Sequence, residues 1–184
     1  RLFLGGGEET VHEFLRLLPR RIRDRTRLMK GLTADTSPAL VLARVVQAQR
    51  EAEREEEEEL VDNLTERDRA RSVFGAAAVT EAVADARVHT LVYSSETEME
   101  GGECTSCGWL MPDSAAELCP RCGGEVRRLA DLIERLVSRV IHSGGRVEEV
   151  RGPASKMLAG SEGLAALLRF VPGSWPPVPS PFLR

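Results

Sequence analysis

Aromatic side chains are scarce in this chain: five Phe, two Trp and one Tyr among 184 residues. A core built on aromatic packing is therefore excluded, and any core must be aliphatic. No apolar run reaches the roughly 20 residues that a membrane-spanning helix needs. The opening Arg-Leu-Phe-Leu-Gly-Gly-Gly has no methionine and is too short for a secretory signal. It reads as a strand entered partway through a fold. Lysine is nearly missing, with only Lys30 and Lys156, so the positive charge is carried by arginine. The net charge of −4 excludes a generally basic nucleic-acid binder but leaves room for a local basic patch. His12, His89 and His142 are scattered, and each reads as a surface or capping residue. No Ser-His-Asp, Cys-His or paired-carboxylate pattern is visible, so the sequence assigns no catalytic residue and leaves enzyme activity undecided.

Cysteine is rare too, and its placement is the strongest signal in the chain. The four cysteines form Cys104-Thr-Ser-Cys107 and Cys119-Pro-Arg-Cys122. A Cys-x-x-Cys turn brings two thiolates to one ion while backbone amides point at the sulfurs. Two such turns supply the four ligands of a tetrahedral zinc. Glycine follows each pair (Gly108; Gly123 and Gly124), freeing the tight turn from Cβ sterics. A redox dithiol needs one pair rather than two, and paired disulfides need an oxidising compartment. Cys104, Cys107, Cys119 and Cys122 are therefore expected to bind a structural Zn(2+). With every position filled by protein, such a site stabilises a fold and does not activate water. Reduced thiols without a targeting segment point to the cytoplasm.

The rest of the chain reads as mixed α/β. Arg1 to Leu4 suit a short buried strand, and Gly5-Gly6-Gly7 a turn into a helix whose first turn holds Glu8 and Glu9. Glycines before a helix can cradle a phosphate, but the Lys-Ser/Thr of a P-loop is missing, so a plain strand-to-helix turn is the simpler account. Arg16, Arg20, Arg21, Arg23, Arg25 and Arg27 form one basic cluster, a candidate for RNA phosphates or else a solvated face. Ser37-Pro38 opens a helix, expected to run through the glutamate-rich stretch 51–59 as a solvated linker to about Asp62. Thr65-Glu-Arg-Asp68 resembles a capping box. Then come an alanine-rich helix from Ala76 to about Ala86 and a strand, Val88 to Tyr93. A cysteine insert flanked by Gly101-Gly102 follows, with a helix over Leu129–Val140, a strand from Arg146 to Arg151, a short helix beginning at Lys156, and a closing apolar strand in Gly163–Phe170. The tail from Pro172 to Arg184 holds five of the ten prolines and cannot continue a sheet interior.

From about Leu60 onward, three features carry a family resemblance. They are Val73-Phe74-Gly75 before an alanine-rich helix and the strand Thr90-Leu-Val-Tyr93, the Cys-x-x-Cys insert, and the closing Gly163-Leu-Ala-Ala-Leu-Leu-Arg-Phe170. Together they resemble the third domain of archaeal and eukaryotic class-1 peptide chain release factors, a family that includes Pelota and bacterial relatives such as the hibernation factor Balon. Arg1 to Val46 resemble the end of the family's central domain. The resemblance implies a three-layer α/β/α third domain over 65–171 with an inserted zinc ribbon at 101–128. Part of a second α/β domain (1–46) and a linker helix (47–64) precede it, and a proline-rich tail (172–184) follows. It further implies docking in the ribosomal A site, in hibernation or rescue, near rRNA and the GTPase-associated centre, with a translational GTPase as partner and no membrane. The family's Gly-Gly-Gln loop is missing: Gly5-Gly6-Gly7-Glu8 and Gly101-Gly102-Glu103 are not it. The alternatives are a peptidyl-tRNA-hydrolysing factor whose loop lies upstream of Arg1, and a zinc-ribbon interaction protein unrelated to translation.

Overall fold

The computed structural model describes residues 1–113 and 115–170, so the expectation for the proline-rich tail lies outside the described residues. The chain divides into two compact units, Arg1–Glu53 and Arg54–Arg184.

In the first unit, β1 (Leu2–Gly5) leads through the glycine turn to α1 (Glu8–Leu17), then α2 (Arg20–Arg23) and β2 (Thr26–Met29). β1 and β2 pair in parallel, Leu2 opposite Thr26 and Gly5 opposite Met29, as a strand–helix–strand crossover requires. β1 is half-buried rather than buried. The reason is the size of the sheet: it has two strands, and Phe14, Leu17 and Leu28 remain 46%, 81% and 44% exposed.

α3 spans Pro38–Thr65 as one continuous helix. Ser37 Oγ accepts from the Leu40 amide at 3.4 Å, as expected of an N-cap. The glutamates are not uniformly solvated. Glu57 and Glu58 are half-buried, and Glu57 accepts the Arg151 amide at 2.7 Å. The capping box does not form. Thr65 ends α3 and its hydroxyl donates back to the Asp62 carbonyl at 3.0 Å, while Asp68 pairs with Arg71. No helix starts at residue 66, and the Glu66 and Asp68 amides donate back to the Asp62 and Asn63 carbonyls at 2.9 and 2.8 Å.

The second unit continues with β3 (Ser72–Phe74), α4 (Ala76–Ala84), β4 (Val88–Ser94), β5 (Gly101–Cys104), β6 (Leu110–Met111) and β7 (Val126–Leu129). α5 (Leu132–His142), β8 (Arg146–Val150), α6 (Gly152–Met157) and β9 (Leu164–Leu168) complete it. The main sheet has the order β3-β9-β4-β8. β4 and β8 are parallel across the α5 connection, and β9 runs antiparallel to both β3 and β4. A bulge falls at His89, between the pairs Val88–Leu168 and Thr90–Leu167. Successive side chains on a strand face opposite ways, so Leu91 and Leu164 join one core with Val79, Leu132 and Leu136. Val92 and Ala165 join another with Val61, Leu64, Val150 and Leu158. Helices thus cover both faces, giving three α/β/α layers. A strand covered on both faces reads as a near-continuous apolar run, which is why Val88–Tyr93 and Leu164–Leu168 stand out in the sequence.

Three boundaries differ from the expected ones. Leu129 ends β7 instead of starting the following helix, which begins at Leu132 behind the cap Asp131, whose carboxylate accepts the Glu134 amide at 2.9 Å. α6 begins at Gly152, with Pro153 in its first turn, and ends at Met157, so Lys156 lies near its end. Gly101 and Gly102 are not a flanking loop but the buried start of β5. A Cβ on Gly101 would stand 2.6 Å from the Met111 carbonyl, and one on Gly102 would stand 2.6 Å from Val126 Cγ1. Glycine is needed there because two strands and α5 close in on the backbone.

Candidate metal centre

The insert between β4 and α5 is a three-stranded antiparallel sheet of order β6-β5-β7. Two turns sit on it and repeat each other. In the first, the Gly108 amide donates to the Cys104 carbonyl at 2.9 Å and the Cys104 amide to the Trp109 carbonyl at 2.9 Å. In the second, the Gly123 amide donates to the Cys119 carbonyl at 2.8 Å and the Cys119 amide to the Gly124 carbonyl at 2.8 Å. Gly108 and Gly123 have φ of +70° and +72°, a left-handed conformation that side chains with a Cβ resist. The Cys107 amide points at Cys104 Sγ over 3.4 Å, the amide-to-sulfur contact that favours a thiolate.

The turns bring four sulfurs together. Cys104 and Cys122 are 3.4 Å apart, Cys107 and Cys119 are 3.7 Å apart, and all four ligand atoms lie within 4.8 Å of one another. A tetrahedron with Zn–S bonds of about 2.3 Å has sulfur–sulfur edges of about 3.8 Å. A disulfide would need about 2.05 Å, and the cysteines are free. The donor set therefore fits one thiophilic metal ion. Cys104 and Cys119 are buried and Cys107 and Cys122 exposed. The Cys107 amide, with the Ser106 amide behind it, draws the Cys104 thiol down to about 6. The Gly124 amide acts the same way on Cys122, but hydrogen bonds with the neighbouring cysteines outweigh it and hold that thiol up at about 12. Four crowded sulfurs cannot all shed protons without a cation among them.

Beside the first turn lies a constellation that the sequence reading did not single out. Glu103 is buried, with its side chain only 9% exposed, yet it accepts from three arginines. Arg127 of β7 reaches it at 2.7 Å, and Arg135 and Arg139 of α5 at 2.6 and 3.0 Å. Arg139 also donates to the Gly108 carbonyl at 3.1 Å, tying the turn to α5. Burial pushes the Glu103 carboxyl up, but the three guanidiniums more than offset it and hold it at about 2. The signals were present: Arg135 and Arg139 stand one helical turn apart, and Arg127 lies opposite Glu103 in the β5–β7 register. Within the second turn, Arg121 lies over the Trp109 ring at 5.5 Å and 3.5 Å from Asp85.

The remaining candidates fall elsewhere. Arg16, Arg20, Arg21, Arg23, Arg25 and Arg27 are all exposed and belong to the first unit, on α1, α2, β2 and the residues between. Arg20 is 3.7 Å from Asp24. The histidines stay apart from the cysteines: His12 Nδ1 contacts the Glu8 carbonyl at 2.7 Å and His89 Nδ1 the Thr90 hydroxyl at 2.8 Å. Among the described residues no helix is long and apolar enough to cross a membrane.

No family model and no curated protein sequence matches the chain. Solved structures do. The C-terminal domain of a peptide chain release factor from Methanosarcina mazei superposes with a TM-score of 0.50 at 21% identity, over 76% of this chain and 99% of that one. A ribosome-bound archaeal Pelota, described together with ABCE1, gives 0.52 at 21% identity, over 92% of this chain and 43% of that one. Saccharomyces cerevisiae Dom34, described as a translation termination-like factor interacting with Hbs1, gives 0.55 at 11% identity, over 94% and 47%. This chain thus spans less than half the length of those Pelota and Dom34 chains. Its fold is that of the C-terminal part of archaeal and eukaryotic release factors and Pelota.

Proposed function

We propose that this chain is a ribosome-binding module of the release-factor type, acting by docking rather than by bond cleavage. The observation that carries this reading is the β3-β9-β4-β8 sheet with helices on both faces and a four-cysteine insert between β4 and α5, superposable on a release-factor C-terminal domain. Fold alone does not fix function, so the chemistry of the sites has to agree with it. A metal held by four thiolates has no open coordination position. Cys104, Cys107, Cys119 and Cys122 would hold a structural Zn(2+), whose contribution is to fix the insert as a rigid protrusion. The arginines from Arg16 to Arg27 would meet rRNA phosphates on the first unit. Occupancy of the A site in rescue or hibernation, beside a translational GTPase in the cytoplasm, is the role most consistent with such a module.

The test is co-sedimentation of the metal-loaded chain with ribosomes through a sucrose cushion, followed by a cryo-EM map of the pellet. Density for the α/β/α unit in the A site is the expected result. Failure to pellet above a zinc-ribbon control protein would defeat the reading. Release of peptide from peptidyl-tRNA by the chain itself would replace docking with catalysis.

A further inference from the structure

We propose that the arginine cluster over Glu103 is a second seat for an RNA backbone phosphate, built where the cysteine insert meets α5 and separate from the Arg16–Arg27 cluster. One guanidinium is enough to neutralise a buried carboxylate, yet here three converge on it. Among these four side chains the surplus is two positive charges, held at close range against their mutual repulsion, with Glu134 the further acid that acts on Arg135. Arg127, Arg135 and Arg139 are 62%, 41% and 47% exposed, so the surplus faces solvent. Each guanidinium carries five N–H donors in a planar fork suited to phosphate oxygens. Among the described residues each gives Glu103 only its Nη2, and Arg139 alone has a further acceptor, the Gly108 carbonyl. Most of the donors are thus left to solvent or to a ligand. A cavity of about 300 Å³ opens there, lined by Glu103, Cys104, Thr105, Gly108, Arg127 and Arg135. It is open to solvent, as a site for a group within a polymer must be.

Glu103 acts as the clamp. Buried and accepting from all three guanidiniums, it fixes three long side chains that would otherwise lose rotamer entropy on meeting a ligand. Counterbalancing the formal double negative charge of a zinc tetrathiolate is the rival purpose for the surplus. No guanidinium hydrogen-bonds a cysteine sulfur among the described residues, which favours a ligand outside the protein. β7 and α5 bring the arginines to one point beside a cavity that is open to solvent, which lets a phosphate within a polymer reach them. The inference deepens the ribosome-docking reading by naming a contact surface and is testable apart from it.

The probe is a fluorescein-labelled RNA hairpin, with binding followed by anisotropy over a range of KCl concentrations, using the full metal-loaded chain. R127Q/R135Q leaves Arg139 to partner Glu103. It is expected to bind about tenfold more weakly near 0.1 M salt, with the slope of log K against log salt shallower by roughly 1.5, while zinc content holds and the chain stays folded with a lowered Tm, since Arg139 alone then pairs with Glu103. Should the double variant fail to fold, R127Q alone is expected to flatten the slope by roughly 1. Unchanged RNA affinity and slope overturn the proposal. So does a loss of zinc with RNA affinity intact per folded molecule, which assigns the arginines to the metal centre instead. Equal competition by a polyglutamate peptide, matched for charge, overturns RNA in favour of an acidic protein partner. Ribosome pelleting of the same proteins separates the two readings. A wild-type chain that binds the hairpin through these arginines but ignores ribosomes leaves the seat standing and removes the docking role.

Discussion

Glu162 Oε2 accepts the backbone amide of Ala76 at 2.8 Å, across 86 residues of sequence. Gly75, the residue before α4, has no side chain to cap the helix, so the cap arrives from the turn before β9. The carboxylate also meets the positive end of the helix dipole. We expect Glu162→Ala to lower stability by about 1 kcal/mol in urea unfolding, and Glu162→Gln to lose less. No change in either variant would make the contact incidental.

The metal comes next. Purified without chelator, the chain should carry one zinc per molecule, with Zn–S distances of about 2.3 Å by X-ray absorption. Cys119→Ala leaves three thiolates and should release the ion. Amide exchange in residues 104–113 and 115–126 should then rise sharply while β4 and β9 stay protected, since they pack in the two cores of the main sheet and Cys104, Met111 and Cys119 form one of their own. Absence of stoichiometric metal, or an insert that stays protected without it, would contradict this.

Glu103 gives a pH signature. Its carboxyl is held at about 2 when folded, against an ordinary 4.5. A depressed folded value means stabilisation that is complete above the ordinary value and lost as pH falls from about 4.5 toward 2. Glu103→Ala strands three arginines around an empty space and should cost about 2–3 kcal/mol at pH 7. It should also remove that acid-side slope, read from Tm against pH. A variant with an unchanged slope would place the acid sensitivity elsewhere.

α3 offers a contrast within one acidic run. Glu59 is exposed, and Glu59→Lys places a lysine four residues after Glu55, an order that favours a helix by about 0.3–0.5 kcal/mol. Stability should hold or rise. Glu57→Ala should instead lower it, because Glu57 accepts the Arg151 amide. Equal effects from the two would mean that the run behaves as a uniform solvated face.

The basic cluster is the last test. Changing Arg20, Arg21 and Arg23 to glutamate should reduce ribosome co-sedimentation and flatten its dependence on salt. All three are exposed, so Tm should barely move. Ribosome binding that survives the triple change would leave these arginines as a solvated surface only.

Much of this architecture was legible because burial on both faces leaves apolar runs, as in β4 and β9, and because the spacing of two Cys-x-x-Cys turns is hard to satisfy any other way. Ser72–Phe74 escaped notice as a strand because three residues show no period; only pairing with Ala165–Leu167 makes them one. Gly101-Gly102 misled because glycine usually marks a turn, whereas here it marks crowding. Glu103 and its arginines were illegible as a group, since a cross-strand pair and a helical pair meet only after the insert has docked on α5. Thr65–Asp68 matched a capping pattern whose helix does not exist.

The place of β9 has a consequence for synthesis. Leu164–Leu168 lie between β3 and β4, and among the described residues β3 pairs with no other strand. Until these residues leave the exit tunnel, β3 lacks its β9 partner, the apolar faces of α4 and α5 lack Leu164 and Leu168, and the Glu162 cap on α4 is missing. A nascent chain stalled short of Gly163 would hold its cysteine insert out already formed while the sheet behind it stayed open. Chaperone access and proteolysis would be decided in that interval.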